Sequence, residues 1–246
     1  MIWLRSALFN VSFFSWTATM IIGMLALMPL PRRFMQCAVR LWGQGIRFLL
    51  RTLIGLDYEV RGLQYMPTGA AIIASKHQSA WDTTIFHGLL PDPNYVMKKE
   101  LSRIPFWGWY VRKAGSISID RDGGGSALKE MIRHAKAALA AGRQVVVFPQ
   151  GTRTAPGQHR RYLPGVYAIY AAGNAPAVPV AVNSGLFWGR HRFVKRPGTI
   201  TIEFLEPIPP GLGKEAFMTL LESRVEPATD RLVAEARARF PTLPQA

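Results

Sequence analysis

The chain has 246 residues, enough for one substantial domain with a small addition and too few for two ordinary catalytic domains. Its 30 Lys and Arg residues against 15 Asp and Glu give a formal net charge of +15, while 49% of the residues are hydrophobic. So much apolar material excludes a disordered polycation, and the lack of heptads and repeats excludes a coiled coil or a solenoid. The lone Cys37 excludes an internal disulfide framework and a zinc site built from cysteines. A chain that is both basic and apolar is suited to an anionic, apolar partner such as a phospholipid.

The first 56 residues are patterned differently from the rest. They contain no acidic residue, and their charged side chains are six arginines, Arg5, Arg32, Arg33, Arg40, Arg47 and Arg51. Residues 6–28 are uncharged and would form a helix roughly 34 Å long, enough to cross the hydrocarbon core of a bilayer. Pro29 and Pro31 end this stretch.

A second helix is predicted over residues 34–56. Its polar side chains fall within an arc of about 80° on a helical wheel; they are Gln36, Arg40, Gln44, Arg47 and Arg51. The rest of that surface is largely apolar, which is typical of a helix lying among lipid headgroups. The sequence therefore predicts a two-helix segment over residues 1–56 that docks on membrane phospholipids, followed by an α/β domain over residues 57–246.

Three other interpretations of the N-terminus compete. A buried core helix would explain residues 6–28, but the Arg-striped second helix argues against full burial. A cleaved signal peptide is disfavoured because the apolar run is too long and no small-x-small cleavage site follows it. A single membrane span over residues 6–28 stays open as an alternative to an interfacial hairpin. If it spans, Arg32 and Arg33 against the single Arg5 place the rest of the chain in the cytoplasm.

Beyond Asp57, short apolar runs alternate with helical stretches. Strands are predicted over residues 58–62, 70–75, 95–98, 116–119, 144–148, 177–182 and 199–204. Helices are predicted over residues 79–89, 105–113, 127–141, 165–172 and 214–240. This alternation predicts an α/β fold, a layered and largely parallel sheet flanked by helices, whose ligands bind beyond the carboxyl ends of the strands.

One candidate site follows the strand over residues 70–75. His77 lies in a turn, and Asp82 lies in the first turn of the next helix, with Ser79 at a helix N-cap position. A bend there folds the imidazole onto the carboxylate, which a continuous helix would hold about 140° away. An imidazole oriented in this way is a general base. Since no G-x-S-x-G nucleophile motif is present, the proton would come from a hydroxyl of the substrate; as a lone pattern, His-x4-Asp also fits a simple helix cap.

A candidate anion site follows the strand over residues 144–148. Gly151 frees the backbone for close approach, Thr152 offers a hydroxyl, and Arg153 offers a planar fork matched to phosphate oxygens. From Met131 to Ile202 there is no acidic residue. The ten basic residues in this stretch give a positive field with no local cancellation.

Four blocks carry a resemblance to a known family. They are the His77-x4-Asp82 pair, Gly115-x-Ile-x-Ile-Asp-Arg121, Phe148-Pro-Gln-Gly-Thr-Arg153 and Val178-Pro179-Val180. In this order and spacing they resemble the glycerolipid acyltransferases, most closely the bacterial 1-acylglycerol-3-phosphate (lysophosphatidic acid) acyltransferases. The resemblance covers about residues 57–210, and the N-terminal two-helix segment is similar to the membrane-docking element of that family.

The resemblance implies transfer of a fatty acyl group from acyl-CoA or acyl carrier protein to the sn-2 hydroxyl of lysophosphatidic acid, giving phosphatidic acid. His77 would be the base and Asp82 its orienting partner. Arg121 and the segment Gln150-Gly151-Thr152-Arg153 would bind the acceptor, and Val178, Pro179 and Val180 would line the acyl site. Family members of this kind work at the cytoplasmic face of the bacterial inner membrane and need neither a metal nor a cofactor.

Position 150 departs from the family pattern. Most relatives have Glu where this chain has Gln150, so the choice of acceptor stays open, and a lyso-ornithine lipid or lysophosphatidylethanolamine are alternatives. A non-catalytic, basic lipid-binding protein is an alternative of another class. A nucleic-acid binder is not expected, because no DNA- or RNA-binding motif occurs.

Overall fold

A seven-stranded mixed sheet with helices on both faces forms the body of the protein. The structure is a computed structural model and describes residues 1–120 and 123–244. The strands are β1 (Leu56–Arg61), β2 (Ala71–Ser75), β3 (Pro93–Lys98), β4 (Ile117–Ile119), β5 (Gln144–Val147), β6 (Ala177–Val182) and β7 (Gly198–Phe204). Their order is β1-β7-β6-β2-β5-β3-β4. Neighbouring strands are parallel except for the antiparallel pair β6 and β7, so the predicted α/β class is confirmed.

Seven α-helices lie in the described part of the chain. They are α1 (Ile2–Leu25), α2 (Arg32–Leu49), α3 (Asp82–Leu89), α4 (Trp107–Ala114), α5 (Gly124–Ala140), α6 (Gly165–Gly173) and α7 (Lys214–Arg239). Helix α2 continues as a π-helical turn over Leu50–Ile54 and ends at Gly55, whose φ of 77° suits glycine. All five residues of β2 and all six of β6 are buried, which is why both strands are continuous apolar runs.

Successive residues of β2 point into two different cores. Ala71 and Ile73 pack with α1, α2 and α3 on one face of the sheet. Ile72 and Ala74 pack with α5, α6 and the first half of α7 on the other face. This alternation is the two-residue period of a strand buried on both sides. It places the carboxyl end of β2 between two helical layers.

The N-terminal helices pack on each other and share an apolar core with one face of the sheet. Phe9, Met35, Ile46 and Leu50 belong to the same apolar core as β2, β6 and β7. The opposite face of both helices is apolar and exposed; we call it the outer face, and its large side chains are Leu4, Leu8, Val11, Phe14 and Ile22 of α1 and Phe34, Leu41 and Phe48 of α2. Helix α1 is long and apolar enough to cross a membrane by length and composition.

The polar stripe of α2 differs from its predicted role. Much of it is turned toward the α/β domain, where Gln36 Nε2 donates to Asp92 at 2.6 Å and Arg47 Nε donates to Asp57 at 3.1 Å. Arg40 donates to the main-chain carbonyls of His87 and Pro91. The expectation that these side chains face lipid headgroups is therefore wrong for Gln36 and Arg40, whereas Arg47 and Arg51 are 47% and 70% exposed. The helical wheel located a polar stripe, and it could not locate the Asp92 and Asp57 carboxylates that the arginines and Gln36 bind.

Helix α3 begins three residues later than predicted. It starts at Asp82, with Trp81 in the cap position. The hydrogen bonds expected of a capping box are nevertheless present in a modified form, because Ser79 Oγ accepts from the Trp81 amide at 3.1 Å and Asp82 Oδ2 accepts from the Ser79 amide at 2.8 Å. The capping bonds thus fold residues 77–81 into a turn before the helix.

Candidate active site

The turn between β2 and α3 brings His77 and Asp82 together. His77 Nδ1 lies 2.9 Å from Asp82 Oδ2. The same oxygen accepts the main-chain amides of Gln78 at 2.7 Å and Ser79 at 2.8 Å. Because Oδ2 acts as the acceptor in those two bonds, Nδ1 is the protonated nitrogen that donates to it, and Nε2 is left with its lone pair.

Asp82 is completely buried, whereas 11% of the His77 side chain is exposed. A buried carboxylate is costly unless it is fully hydrogen-bonded. Its second oxygen, Oδ1, accepts a 2.5 Å hydrogen bond from the hydroxyl of Ser184. The carboxylate thus receives donors on both oxygens, and only the imidazole of this pair reaches the surface.

The loop after β5 packs on the same turn. The amide of Thr154 donates to the main-chain carbonyl of His77 at 2.8 Å, and Phe148 stacks on the imidazole with ring centroids 4.0 Å apart. Strands β2 and β5 are parallel neighbours, so their carboxyl ends meet at one edge of the sheet. This juxtaposes the first and third sequence blocks, as the α/β pattern predicts.

Arg153 lies close enough to the pair to respond to its charge. Partial burial and the nearby Arg190 lower the pKa of Arg153, and the Asp82 carboxylate raises it. Arg190 also donates to the main-chain carbonyl of Arg153 at 3.4 Å. Two guanidinium groups therefore lie near each other, and that of Arg153 is close enough to Asp82 to interact with its charge. This arrangement attracts anions.

Gln150 is held inside the protein. It is 2% exposed, its Oε1 accepts from the Thr154 hydroxyl at 2.6 Å, and its Nε2 lies 3.4 Å from the carbonyl of Arg160 and 3.5 Å from Glu226. These bonds tie the loop after β5 to α7. The predicted contact of Gln150 with substrate stays a prediction, and the geometry found here is that of a loop support.

A buried ion pair lies behind this loop. Lys76 Nζ is 2.6 Å from Glu226 Oε2, and the side chains are 2% and 8% exposed. Glu226 also accepts from the hydroxyl of Tyr162 at 2.7 Å and lies 2.8 Å from His159 Nδ1. Burial and the charge of Glu226 raise the pKa of Tyr162, so its hydroxyl stays a donor to that carboxylate.

The remaining predicted site residues are placed as follows. Gly151 lies in the turn after β5 with φ of 67° and Thr152 follows it, whereas Arg121 lies outside the described residues. Val178, Pro179 and Val180 form the middle of β6, paired with β2, and Val178 and Val180 belong to the core. Their predicted acyl-site role stays a prediction, and their packing leads β6 toward Ser184.

Three residues of this region were missed at the sequence level, namely Ser184, Lys76 and Glu226. Ser184 is 102 residues from its partner Asp82, so no spacing rule connects them. Two polar residues, Asn183 and Ser184, follow the buried strand β6, and this is the signal that could have found it. Glu226 had a clearer signal, because it is an acid among the apolar residues of the buried face of α7. In the described residues, no group of three His, Cys, Asp or Glu side chains could hold a metal ion.

Comparisons with known proteins agree with this geometry. Residues 57–183 match the family model described as Acyltransferase. A 1-acyl-sn-glycerol-3-phosphate acyltransferase of Pseudomonas aeruginosa is 34% identical over 195 residues, which are 79% of this chain and 75% of that protein. The alpha form of the enzyme from Mus musculus is 30% identical over 197 residues, covering 75% of this chain and 67% of that protein.

A solved structure shares the fold. The crystal structure of the 1-acyl-sn-glycerophosphate (LPA) acyltransferase from Thermotoga maritima matches with a TM-score of 0.76 at 22% sequence identity, over 98% of this chain and 99% of that one. The family match includes His77, Asp82 and the loop after β5, and it ends one residue before Ser184. Because it covers more than half of the chain, this protein belongs to the acyltransferase family.

Proposed function

We propose that this protein transfers a fatty acyl group from an acyl thioester to the sn-2 hydroxyl of lysophosphatidic acid, which gives phosphatidic acid. The observation that carries the proposal is the 2.9 Å contact between His77 Nδ1 and the buried Asp82, with Arg153 near enough to interact with the Asp82 charge. The names of the relatives supply the acceptor, and the site supplies a base and an anion-binding flank.

The reaction needs one proton relay. His77 Nε2 takes the proton of the acceptor hydroxyl while its oxygen bonds to the thioester carbonyl carbon, and the tetrahedral intermediate then loses the thiolate as the carbon–sulfur bond breaks. The imidazolium gives its proton to the departing thiolate, so His77 ends as it began. Asp82 fixes the ring and stabilises the transient imidazolium. Positioned base catalysis of this type contributes about 10²–10⁴ in rate.

The acceptor must be held by its phosphate for this base to reach the hydroxyl. Arg153 stands on the flank of the His77 turn, and Gly151 and Thr152 of the same loop present a backbone with positive φ and a hydroxyl. A guanidinium binds phosphate oxygens through two parallel hydrogen bonds. Orientation by such a clamp is worth several kcal/mol of the barrier, about 7 or more in well-aligned cases.

Both substrates are amphiphiles, and we propose that they enter from a membrane surface on which the outer face rests. Several contacts fix α1 in place: Trp16 donates to the Trp42 carbonyl of α2 at 3.0 Å, and Tyr110 of the α/β domain donates to the Ile21 carbonyl at 2.6 Å. Near the other end, Asn10 accepts from Lys195 at 2.7 Å. A helix crossing the bilayer would have to break these bonds, so they favour an interfacial hairpin over a span.

We place the site on the cytoplasmic side of the bacterial inner membrane, because that compartment holds both acyl-CoA and acyl carrier protein. The choice between the two donors, and the absence of a cofactor, are part of this proposal. The +15 net charge suits both anionic lipid and anionic donors.

The decisive test is thiol release by the full-length protein on vesicles of anionic phospholipid, with lysophosphatidic acid and either donor. We expect release matched by phosphatidic acid, and its loss in His77→Ala and in Asp82→Asn at unchanged vesicle binding. Cys37 is exposed and reacts with thiol reagents, so His77→Ala also supplies the background. A panel with lyso-ornithine lipid and lysophosphatidylethanolamine assigns the acceptor. Near-normal turnover in either variant contradicts the base assignment, and thiol release with none of these acceptors leaves a lipid-binding protein.

A further inference from the structure

The geometry points to Ser184 as a positioning residue that locks the Asp82 carboxylate in the orientation in which it holds His77. This inference rests on the proposed function, since it assigns a role to Ser184 in the same proton relay. Ser184 touches neither the imidazole nor an open surface: it is completely buried, and its hydroxyl donates to Asp82 Oδ1 at 2.5 Å.

The division of donors between the two carboxylate oxygens is the basis of the inference. Oδ2 receives the His77 imidazole and the amides of Gln78 and Ser79. In the part of the chain that the structure describes, the Ser184 hydroxyl is the donor to Oδ1. The Oδ2 bonds come from residues of one short turn that can move with the carboxylate. The Ser184 bond comes from the 3-10 turn that follows β6, so it fixes the carboxylate relative to the sheet.

Ser184 is itself held firmly. It follows Asn183, which is buried and bound on both sides: its Oδ1 accepts the Thr201 amide at 2.8 Å, and its Nδ2 donates to the Leu232 carbonyl at 3.2 Å. The carbonyl of Ser184 accepts the amide of Trp188 at 2.9 Å. Because these bonds hold the backbone of the segment, the Ser184 hydroxyl stays directed at Asp82 Oδ1 and keeps the carboxylate in one orientation.

A second bond joins the same two segments. The amide of Gly185 donates to Gln78 Oε1 at 3.0 Å, so the segment after β6 grips the His77 turn at two neighbouring points. Gly185 tolerates no side chain there, because a Cβ would lie 2.9 Å from the Cβ of Gln78. The backbone at Gly185 therefore packs closely against the His77 turn. Through β6, these contacts connect the fourth sequence block, residues 178–180, to His77.

Two roles for Ser184 can be separated by their consequences. If the Ser184 side chain only fills buried space, its loss lowers stability and leaves the protonation behaviour of His77 unchanged. If it positions Asp82, its loss leaves the carboxylate with one donor fewer. The carboxylate then attracts the imidazolium more strongly while holding the ring less well. The acidic limb of kcat/KM consequently moves to higher pH, and kcat falls.

The experiment compares Ser184→Ala with Ser75→Ala in the full chain on anionic vesicles. Ser75 is equally buried, and its hydroxyl donates to the main-chain carbonyl of Lys76 at 2.9 Å, so its variant reports the cost of losing a buried hydroxyl alone. We expect kcat to fall about 10-fold to 100-fold in Ser184→Ala, with the acidic limb displaced upward. Ser75→Ala should leave that limb in place. Ser184→Cys, which keeps a weak donor of similar size, should lie between wild type and Ser184→Ala.

A measurement without turnover makes the result independent of the acceptor. The pH dependence of His77 modification by diethyl pyrocarbonate, followed by mass spectrometry of the His77 peptide, reports protonation of the imidazole directly. We expect its midpoint to rise in Ser184→Ala and to stay fixed in Ser75→Ala. If it is unchanged in a Ser184→Ala protein whose melting temperature falls, the positioning role is refuted and a purely structural hydroxyl remains. Should Ser184→Ala not fold, a midpoint in Ser184→Cys equal to that of wild type refutes it as well. Failure of the proposed function shows separately, as wild-type protein that releases no thiol.

Discussion

The ring of Phe148 lies flat against the imidazole of His77, with centroids 4.0 Å apart and planes inclined by 19°. Phe148 follows β5 and His77 follows β2, and the two strands are parallel neighbours. The base is therefore held at Nδ1 by a carboxylate and on one face by an aromatic ring. Packing of this kind restricts the ring to the plane that Asp82 selects.

Replacing Phe148 should loosen the base and change its protonation. The face of a benzene ring attracts a cation, so stacking favours the imidazolium, and Phe148→Leu should shift the acidic limb of kcat/KM to lower pH. This is opposite in sign to the shift expected for Ser184→Ala. We expect kcat to fall up to about 10-fold, the factor that an aromatic pair is worth. Phe148→Tyr keeps a stacking ring and serves as the control. If the acidic limb of kcat/KM lies at the same pH in Phe148→Leu and Phe148→Tyr, stacking does not stabilise the imidazolium.

Arg153 should act on acceptor binding. Arg153→Ala should raise the KM for the phosphate-bearing acceptor about 10-fold or more, the value of one charge-assisted bidentate contact, with kcat changed far less. The effect should shrink as salt is added, because the partner is an anion. Arg161→Ala, an exposed arginine of the same acid-free stretch, is the matched control. A fall in kcat at constant KM contradicts the clamp role.

The outer face of α1 and α2 should bind the membrane through single side chains. Phe14 and Phe48 are 67% and 66% exposed, so Phe14→Glu or Phe48→Glu removes apolar contact with lipid at little cost to the fold. Each should weaken cosedimentation with anionic vesicles about 10-fold. Deleting residues 1–56 is a poorer test, because it removes Phe9, Met35 and Ile46 from the core and unfolds the domain. Leu128→Glu, at an exposed position of α5, is the control. If it weakens cosedimentation as much as the α1 and α2 variants do, the outer face is not the membrane-binding surface.

The sequence predicted the strands of this fold well, because the inner strands β5 and β6 are continuous apolar runs and the outer strands β1 and β7 alternate apolar and polar residues. The contact between His77 and Asp82 was also predictable, since a short turn between a buried strand and a capped helix allows few backbone conformations. What the sequence could not predict depends on partners distant along the chain. In the polar stripe of α2, the inward contacts of Gln36 and Arg40 depend on residues 87–92, which the helical wheel cannot place beneath that helix. Ser184 and Glu226 reach the site from β6 and α7, and periodicity carries no information on such pairings.

The fold should lose stability in acid through His87, a residue outside the site. Burial, helped by the charge of Arg40 and opposed by that of Asp92, lowers the pKa of His87 from the ordinary 6.5 to about 4. Between these two pH values the unfolded chain binds a proton that the folded chain does not. The free energy of unfolding therefore falls as the pH drops through this window, by at most about 3 kcal/mol.

His87→Gln should remove that part of the acid sensitivity. The ring of His87 packs on Tyr95 with centroids 4.8 Å apart, so the variant loses some packing at every pH, and the slope of stability against pH is the informative quantity. Urea unfolding from pH 7 to pH 4 should give a flatter slope in His87→Gln than in wild type. His134→Gln, an exposed histidine of α5, should keep the wild-type slope. Equal slopes in all three proteins would contradict this prediction. They would mean that His87 binds its proton equally well in the folded and unfolded chains, because only a proton that folding excludes makes stability depend on pH.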